Sequence, residues 1–297
     1  MTNTSTYLPN ADNTVAVLLS QHSKALQEQH NLDASSARIE VQCLLQEALQ
    51  KNRAYLLSHP EYQLNEEQDA KFGSLMQRRL KGEPIAYLLG TREFFGLSFN
   101  VSPATLIPRP ETELLVELAL QHIPNAGAFR VLDLGTGSGA IALSIAHGRA
   151  NTEIVAVDSS TDALEVARRN TLNLNINNIR LLQSDWFAAL SGEYFDLIVA
   201  NPPYIAENDA HLSQGDVRFE PRCALVSGAD GLDDIRHICS HAKSHLNPGT
   251  WLLLEHGYNQ AAQVRSLMHQ AGFTDTFSEQ DLSGIKRVSG GRLTSKI

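Results

Sequence analysis

Three cysteines in 297 residues, Cys43, Cys223 and Cys239, are too few, too scattered and the wrong number for a disulfide framework. No Cys-x-x-Cys pair offers a zinc corner, so reduced thiols are expected. Cationic charge is also short. The 24 Lys and Arg stand against 33 Asp and Glu, a net charge of −9, which disfavours a sequence-blind grip on duplex phosphates. Long apolar runs are missing too. Met1 to Asn13 has no cationic segment followed by an apolar core, and Val15 to Leu19 is too short to export or span. No later run approaches the roughly 18 residues of a membrane helix, so the expectation is a soluble cytoplasmic protein without a membrane partner. What is present is an ordinary globular balance, 42% apolar and 19% charged, at a length that suggests two domains.

The texture changes near residue 100. From Val15 to about Leu89, apolar residues recur at three- and four-residue steps, as in Ile39, Cys43, Leu44, Ala48 and Leu49, then Phe72, Leu75, Met76 and Leu80. Asp33 and Asn65 stand where helix N-caps belong, so residues 1–90 are read as a small helical domain. Phe95, Leu97, Phe99 and Val101 alternate around Gly96 as a hairpin, and Ser102 to Pro110 carries three prolines as a stiff linker. These make residues 91–110 a connecting segment.

Residues 111–297 alternate β-branched runs with helical stretches. Strands are expected at Arg130–Leu134, Glu153–Val157, Ile179–Leu182, Phe195–Ala200 and Thr250–Leu254. Helices are expected at Ala140–His147, Asp162–Thr171, Leu232–Leu246 and Asn259–Ala271, with two edge strands at Phe273–Phe277 and Ile285–Val288. The implied fold is α/β, Rossmann-like, a doubly wound and mostly parallel sheet that binds ligands at its carboxyl end.

Val131 to Gly139 reads V-L-D-L-G-T-G-S-G, an apolar strand entering three alternate glycines with a helix opening at Ala140. Glycine lets the backbone turn tightly and lets a ligand approach where a Cβ would stand. The spacing is G-x-G-x-G, whereas a dinucleotide fingerprint is G-x-G-x-x-G, which favours an adenosyl ligand without phosphates. The cradle is Gly135, Thr136, Gly137, Ser138 and Gly139. Asp158, at the end of the second strand, suits a ribose diol, its plain alternative being a cap for the following helix. Asp185 and Trp186 close the third strand, where an indole offers a purine its face and the acid accepts from an exocyclic amine.

The fourth strand ends in Asn201-Pro202-Pro203-Tyr204. Two prolines lock the backbone and remove two donors, so the Asn201 side chain and the Pro202 carbonyl form an acceptor wall. Such a wall wants a planar NH2. Its lone pair is delocalised, and two accepted N–H groups let the nitrogen pyramidalise towards an electrophile. Tyr204 is expected to stack on the planar group and favour the developing positive charge.

These motifs together resemble the class I S-adenosylmethionine-dependent methyltransferases that act on planar nitrogen. Lys81 to Tyr87, Arg92-Glu93-Phe94, Ile107 to Glu113, Glu220-Pro221, Gly228 to Leu232 and Arg287-Val288 narrow the resemblance to the release factor glutamine methyltransferases, the PrmC or HemK family. It covers almost the whole chain. The resemblance implies an enzyme using S-adenosyl-L-methionine to methylate the side-chain amide of the glutamine in the Gly-Gly-Gln loop of bacterial peptide chain release factors. Cofactor contacts then fall on Gly135 to Gly139, Asp158, Trp186 and Asn201, and substrate contacts on Asn201, Pro202, Pro203 and Tyr204. The helical domain would grip the release factor. A monomer without direct nucleic-acid binding is expected.

Two clusters are set aside. His237, His241 and His245 have helical i, i+4 spacing but lack the glutamate of an H-E-x-x-H zinc helix, and no metal is expected. Arg78, Arg79, Lys81 and Arg92 could touch a partner, though such runs are usually solvated. Competing readings are an adenine amino methyltransferase, whose substrate base must be flipped out, and a cofactor-binding adaptor without chemistry.

Overall fold

The computed structural model describes residues 13–294. The absence of an export signal over Met1 to Asn13 therefore concerns residues that, Asn13 apart, lie outside the described ones. Two compact units emerge: the described residues up to Gly90 joined by Ser213–Phe219, and Thr91–Leu212 joined by Glu220 onward.

The first unit holds α1 (Val15–His30), α2 (Ala34–Leu49), α3 (Arg53–Ser58), α4 (Glu66–Leu80) and α5 (Ile85–Leu89). Thr14, Asp33, Asn52 and Asn65 cap the first four helices, each accepting a bond from a first-turn N–H. Asn65 and Gln68 do so reciprocally, as a capping box. Leu26, Val41, Leu44, Leu45, Phe72 and Met76 meet in its core, each worth about 1.5–3 kcal/mol when fully buried. Ile39, part of the apolar periodicity, is 50% exposed, whereas Val41 and Leu45 of α2 are fully buried. Two of the four basic residues are paired: Arg78 with Glu83, and buried Arg79 with Glu40 at 2.7 Å. Arg218 donates to the Lys81 carbonyl at 3.1 Å. Its guanidinium fills the space beside Gly82, where φ is +95° and a Cβ would collide with it.

The second unit opens with the hairpin β1 (Thr91–Phe94) and β2 (Leu97–Asn100), turned at Phe95 and Gly96, both at positive φ. Phe94 and Phe99 are buried in the core of this unit, so the hairpin is part of the sheet domain's packing. Then come α6 (Glu113–His122), β3 (Phe129–Leu134), α7 (Ala140–Gly148), β4 (Thr152–Asp158), α8 (Thr161–Asn173), β5 (Ile179–Gln183) and β6 (Phe195–Ala200). They are followed by α9 (Asp233–Ala242), β7 (Leu246–Glu255), α10 (Ala261–Gln270), β8 (Phe273–Gln280) and β9 (Lys286–Leu293). Helix α6 went unanticipated. The helix expected over 232–246 stops at Ala242, since Phe195 N–H takes the His245 carbonyl at 2.8 Å and Leu246 already pairs with Phe195.

The seven strands lie in the order β5-β4-β3-β6-β7-β9-β8, parallel as far as β7 and antiparallel beyond. The mostly parallel doubly wound expectation is met. Its central strands are apolar along almost their whole length, as burial on both faces requires, and the two cores lie on either side. Strand order reverses between β3 and β6, which opens a crevice at their carboxyl ends. The glycine turn leaves β3 there and Asn201 leaves β6.

Candidate active site

The turn after β3 is built mainly from backbone. Gly135 and Thr136 both donate to the Val157 carbonyl at 2.9 Å, and Gly139 donates to Thr136 at 2.8 Å. Gly135, Gly137 and Gly139 all have positive φ, which L side chains rarely adopt. A Cβ on Gly137 would point into open space, the cavity itself. Asn170 of α8 steadies the turn from behind, donating to the Ser138 carbonyl at 2.8 Å while accepting from Asn100 N–H at 2.7 Å.

Asp158 is held by two backbone donors, Gly137 N–H on one oxygen and Ser160 N–H on the other, both at 2.9 Å. Each oxygen keeps acceptor capacity. Ser160, not Asp158, caps α8, so the plain capping alternative falls. Burial raises the Asp158 pKa, opposed by the N–H groups of Ser160, Gly137 and Ser159. Beneath it Asp133 accepts from the Thr136 hydroxyl at 2.7 Å, and burial pushes its pKa up to about 7.

Trp186 sits at φ +46°, a strained conformation for a bulky residue. Ser184 holds it there: its hydroxyl donates to the Trp186 carbonyl at 2.8 Å and accepts from Ala189 N–H at 3.0 Å. The indole covers Gly135, where a Cβ would lie 3.4 Å from the ring. Asp185 is exposed beside it.

The cavity these residues enclose is about 280 Å³. Gly135 to Ser138, Asp158, Asp185, Trp186, Asn201 and Pro203 all line it. Ala104, Thr105 and Leu106 do as well, so the segment read as a mere linker forms part of the wall. Gly139 does not: it is the N-cap of α7, packed against Leu143 and Ala167. Among the lining residues are three aspartates, Asp158, Asp185 and Asp234, and no Lys, Arg or His.

At the other end, Asn201 donates through Nδ2 to Thr112 Oγ1 at 3.3 Å. Among the described residues no donor meets its Oδ1 or the Pro202 carbonyl. Pro202 and Tyr204 lie outside the cavity lining. Tyr204, expected to stack on a substrate, instead packs against the buried core, with its hydroxyl 3.4 Å from Glu255 Oε1. Burial, with the Glu255 charge beside it, raises the phenol's pKa. Gln260 fixes the Tyr204 carbonyl, donating to it at 3.0 Å and to Gly231 O at 3.3 Å while accepting from Gly257 N–H at 2.8 Å. A Cβ on Gly231 would come within 2.3 Å of the same carbonyl, so only glycine fits. Glu255 is fully buried, and burial raises its pKa to about 7.

Thr112, Ser184, Asn170, Gln260 and Glu255 were missed as site residues. The histidines show no ligand geometry: the His237 and His241 rings stack 4.2 Å apart, and no group of three or more His, Cys, Asp or Glu among the described residues could hold a metal ion.

A glycine turn after the first central strand, an acid after the second and Asn-Pro-Pro-Tyr after the fourth, on this strand order, define a class I methyltransferase. Family models agree: residues 112–217 match the Methyltransferase small domain and residues 18–90 the PrmC N-terminal domain. The release factor glutamine methyltransferase of Salmonella typhimurium is 50% identical over 262 residues, 88% of this chain and 94% of that one. That of Burkholderia pseudomallei is 51% identical over 268 residues, 88% and 93% of the two chains. The chain belongs to the release factor glutamine methyltransferase family. In fold it is similar to a T. Thermophilus 16S rRNA N2 G1207 methyltransferase solved with AdoMet and guanosine. The TM-score is 0.51 at 21% identity, over 68% of this chain and 49% of that one.

Proposed function

We propose that this chain transfers a methyl group from S-adenosyl-L-methionine to the side-chain amide nitrogen of a glutamine in the Gly-Gly-Gln loop of peptide chain release factors. The observation that carries this reading is the pairing, in one cavity, of a phosphate-free cradle with an amide oxygen, Asn201 Oδ1, that no donor of the described residues engages. The cavity's chemistry fits the cofactor. Three carboxylates and no cation repel a pyrophosphate and suit a ligand carrying ammonium and sulfonium charges. Gly135, Thr136, Gly137 and Ser138 would hold its amino-acid part, Asp158 its ribose, and Trp186 with Asp185 its adenine. Gly139 serves by letting α7 begin.

When bound, the cofactor supplies a methyl on positively charged sulfur and leaves as S-adenosyl-L-homocysteine. The protein's own part is placement. Asn201 Oδ1 and the Pro202 carbonyl each accept one N–H of the glutamine amide, which turns its lone pair towards the methyl; Pro203 walls the space beside it. The two acceptors would stabilise the positive charge that the glutamine nitrogen carries when it takes the methyl, before its proton leaves. Positioning of this kind can contribute roughly 7–11 kcal/mol. Tyr204 acts as the anchor of the wall, held by Gln260 and Glu255.

The tetrapeptide suits any planar NH2, so discrimination rests on binding remote from the reacting atom. The helical unit supplies it to the body of the release factor. A cytoplasmic monomer with no direct nucleic-acid contact completes the reading; no helix of the described residues is long and apolar enough to cross a membrane. Transfer of labelled methyl to intact release factor, DNA and RNA in parallel is the test. Labelling of the release factor alone, abolished by changing its loop glutamine, supports the reading; preferential labelling of DNA or RNA replaces it with the adenine alternative. A chain beginning at Thr91 is expected to keep cofactor affinity yet methylate the intact release factor poorly.

A further inference from the structure

The Asn201 amide has two faces of opposite polarity, and only one serves the reaction. With Oδ1 towards the substrate the wall accepts an N–H; turned by half a rotation it presents Nδ2, a donor facing a donor. Something must choose. Among the described residues the sole partner of that amide is Thr112, which accepts Nδ2 at 3.3 Å. Thr112 is 4% exposed, at the start of α6, and it lines the cavity beside Asn201.

A threonine hydroxyl has one proton and two lone pairs. One lone pair takes the Asn201 Nδ2 proton, and Asn201 Oδ1, which no donor of the described residues meets, is left for the substrate.

We propose that Thr112 is a positioning residue that fixes the polarity of the Asn201 amide by accepting from its Nδ2. This rests on the reading of Asn201 as the substrate-facing acceptor. The polarity passes from a hydroxyl that touches no reacting atom to the amide that does.

The variants T112V, T112S and N201A, each in the full chain, separate the possibilities. T112V keeps the shape and removes the acceptor, so kcat on intact release factor falls about tenfold while KM for the release factor and calorimetric cofactor affinity hold within twofold. T112S restores most of the rate. In 15N-labelled protein the Asn201 side-chain amide protons exchange faster with solvent in T112V than in wild type or T112S, a readout independent of turnover. If T112V turns over like wild type while N201A is inactive, the inference about Thr112 is wrong and the reading of Asn201 stands. If N201A itself keeps wild-type turnover, both go. Should T112V fail to fold, T112A against T112S replaces it, and equal rates in those two overturn the proposal.

Discussion

The two ends of the cavity are made in different ways. The cofactor end is local: a turn of five residues bonded to the neighbouring strand's backbone, with one carboxylate held by two N–H groups. The acceptor end is assembled from afar. Asn201 is held by Thr112, and Tyr204 by Gln260 and Glu255, which stand just before α6, just before α10 and at the end of β7. The difference follows from what each end must do. A cradle needs space and donors, which backbone supplies wherever glycine allows; an acceptor must have one polarity, and that takes side chains fixed by other side chains.

Breaking the local end has the largest expected effect. Gly137→Val puts a branched side chain into the cavity at a φ of +56°, so cofactor affinity falls at least about 100-fold by calorimetry, through lost space and backbone strain together. Unchanged affinity in a folded variant would remove the turn from the site. A smaller loss is expected from Ser184→Ala, which frees the Trp186 carbonyl and lets the indole leave its strained turn. Cofactor affinity then drops about fivefold to tenfold, on the order of one hydrogen bond, while turnover at saturating cofactor stays near normal. If turnover drops instead, Trp186 belongs to the acceptor end.

The smallest effect concerns stability at the distant end. Glu255 is raised to about 7 in the folded chain from an ordinary 4.5, so the folded state holds its proton more tightly than the unfolded state between those values. Its contribution is full below about pH 4 and is lost as pH rises through about 7. Unfolding free energy of wild type should therefore fall over that window more than that of Glu255→Gln, by about 1–2 kcal/mol after allowance for relaxation of a buried group. Denaturant titrations at pH 5 and pH 7.5 check this. Parallel slopes for the two proteins would show that Glu255 titrates normally.

The same contrast explains what was legible in the sequence. The strands, the glycine turn, Asp158 and the tetrapeptide could be read because each is a short run whose chemistry is local. The caps at Asp33 and Asn65 were legible for the same reason. Helix α6 was passed over although Leu114, Leu115 and Leu118 recur at helical steps, and Thr112 just before it went with it. Ser184 and Asn170 carry no local signal; they matter because the fold sets them beside Trp186 and Ser138. Aromatic character alone suggests stacking for Tyr204; that Glu255 lies at its hydroxyl and Gln260 on its carbonyl has no local signal in the sequence.

The central claim is that one cavity has a binding end and a chemical end that can be separated. The direct measurement is cofactor affinity and single-turnover methyl transfer to intact release factor, taken on the same preparation of Asn201→Ala. The account predicts affinity within about threefold of wild type and a transfer rate reduced by about 10²–10³, the loss typical of one removed transition-state partner. Near-normal transfer, or affinity lost in proportion to rate, would contradict it.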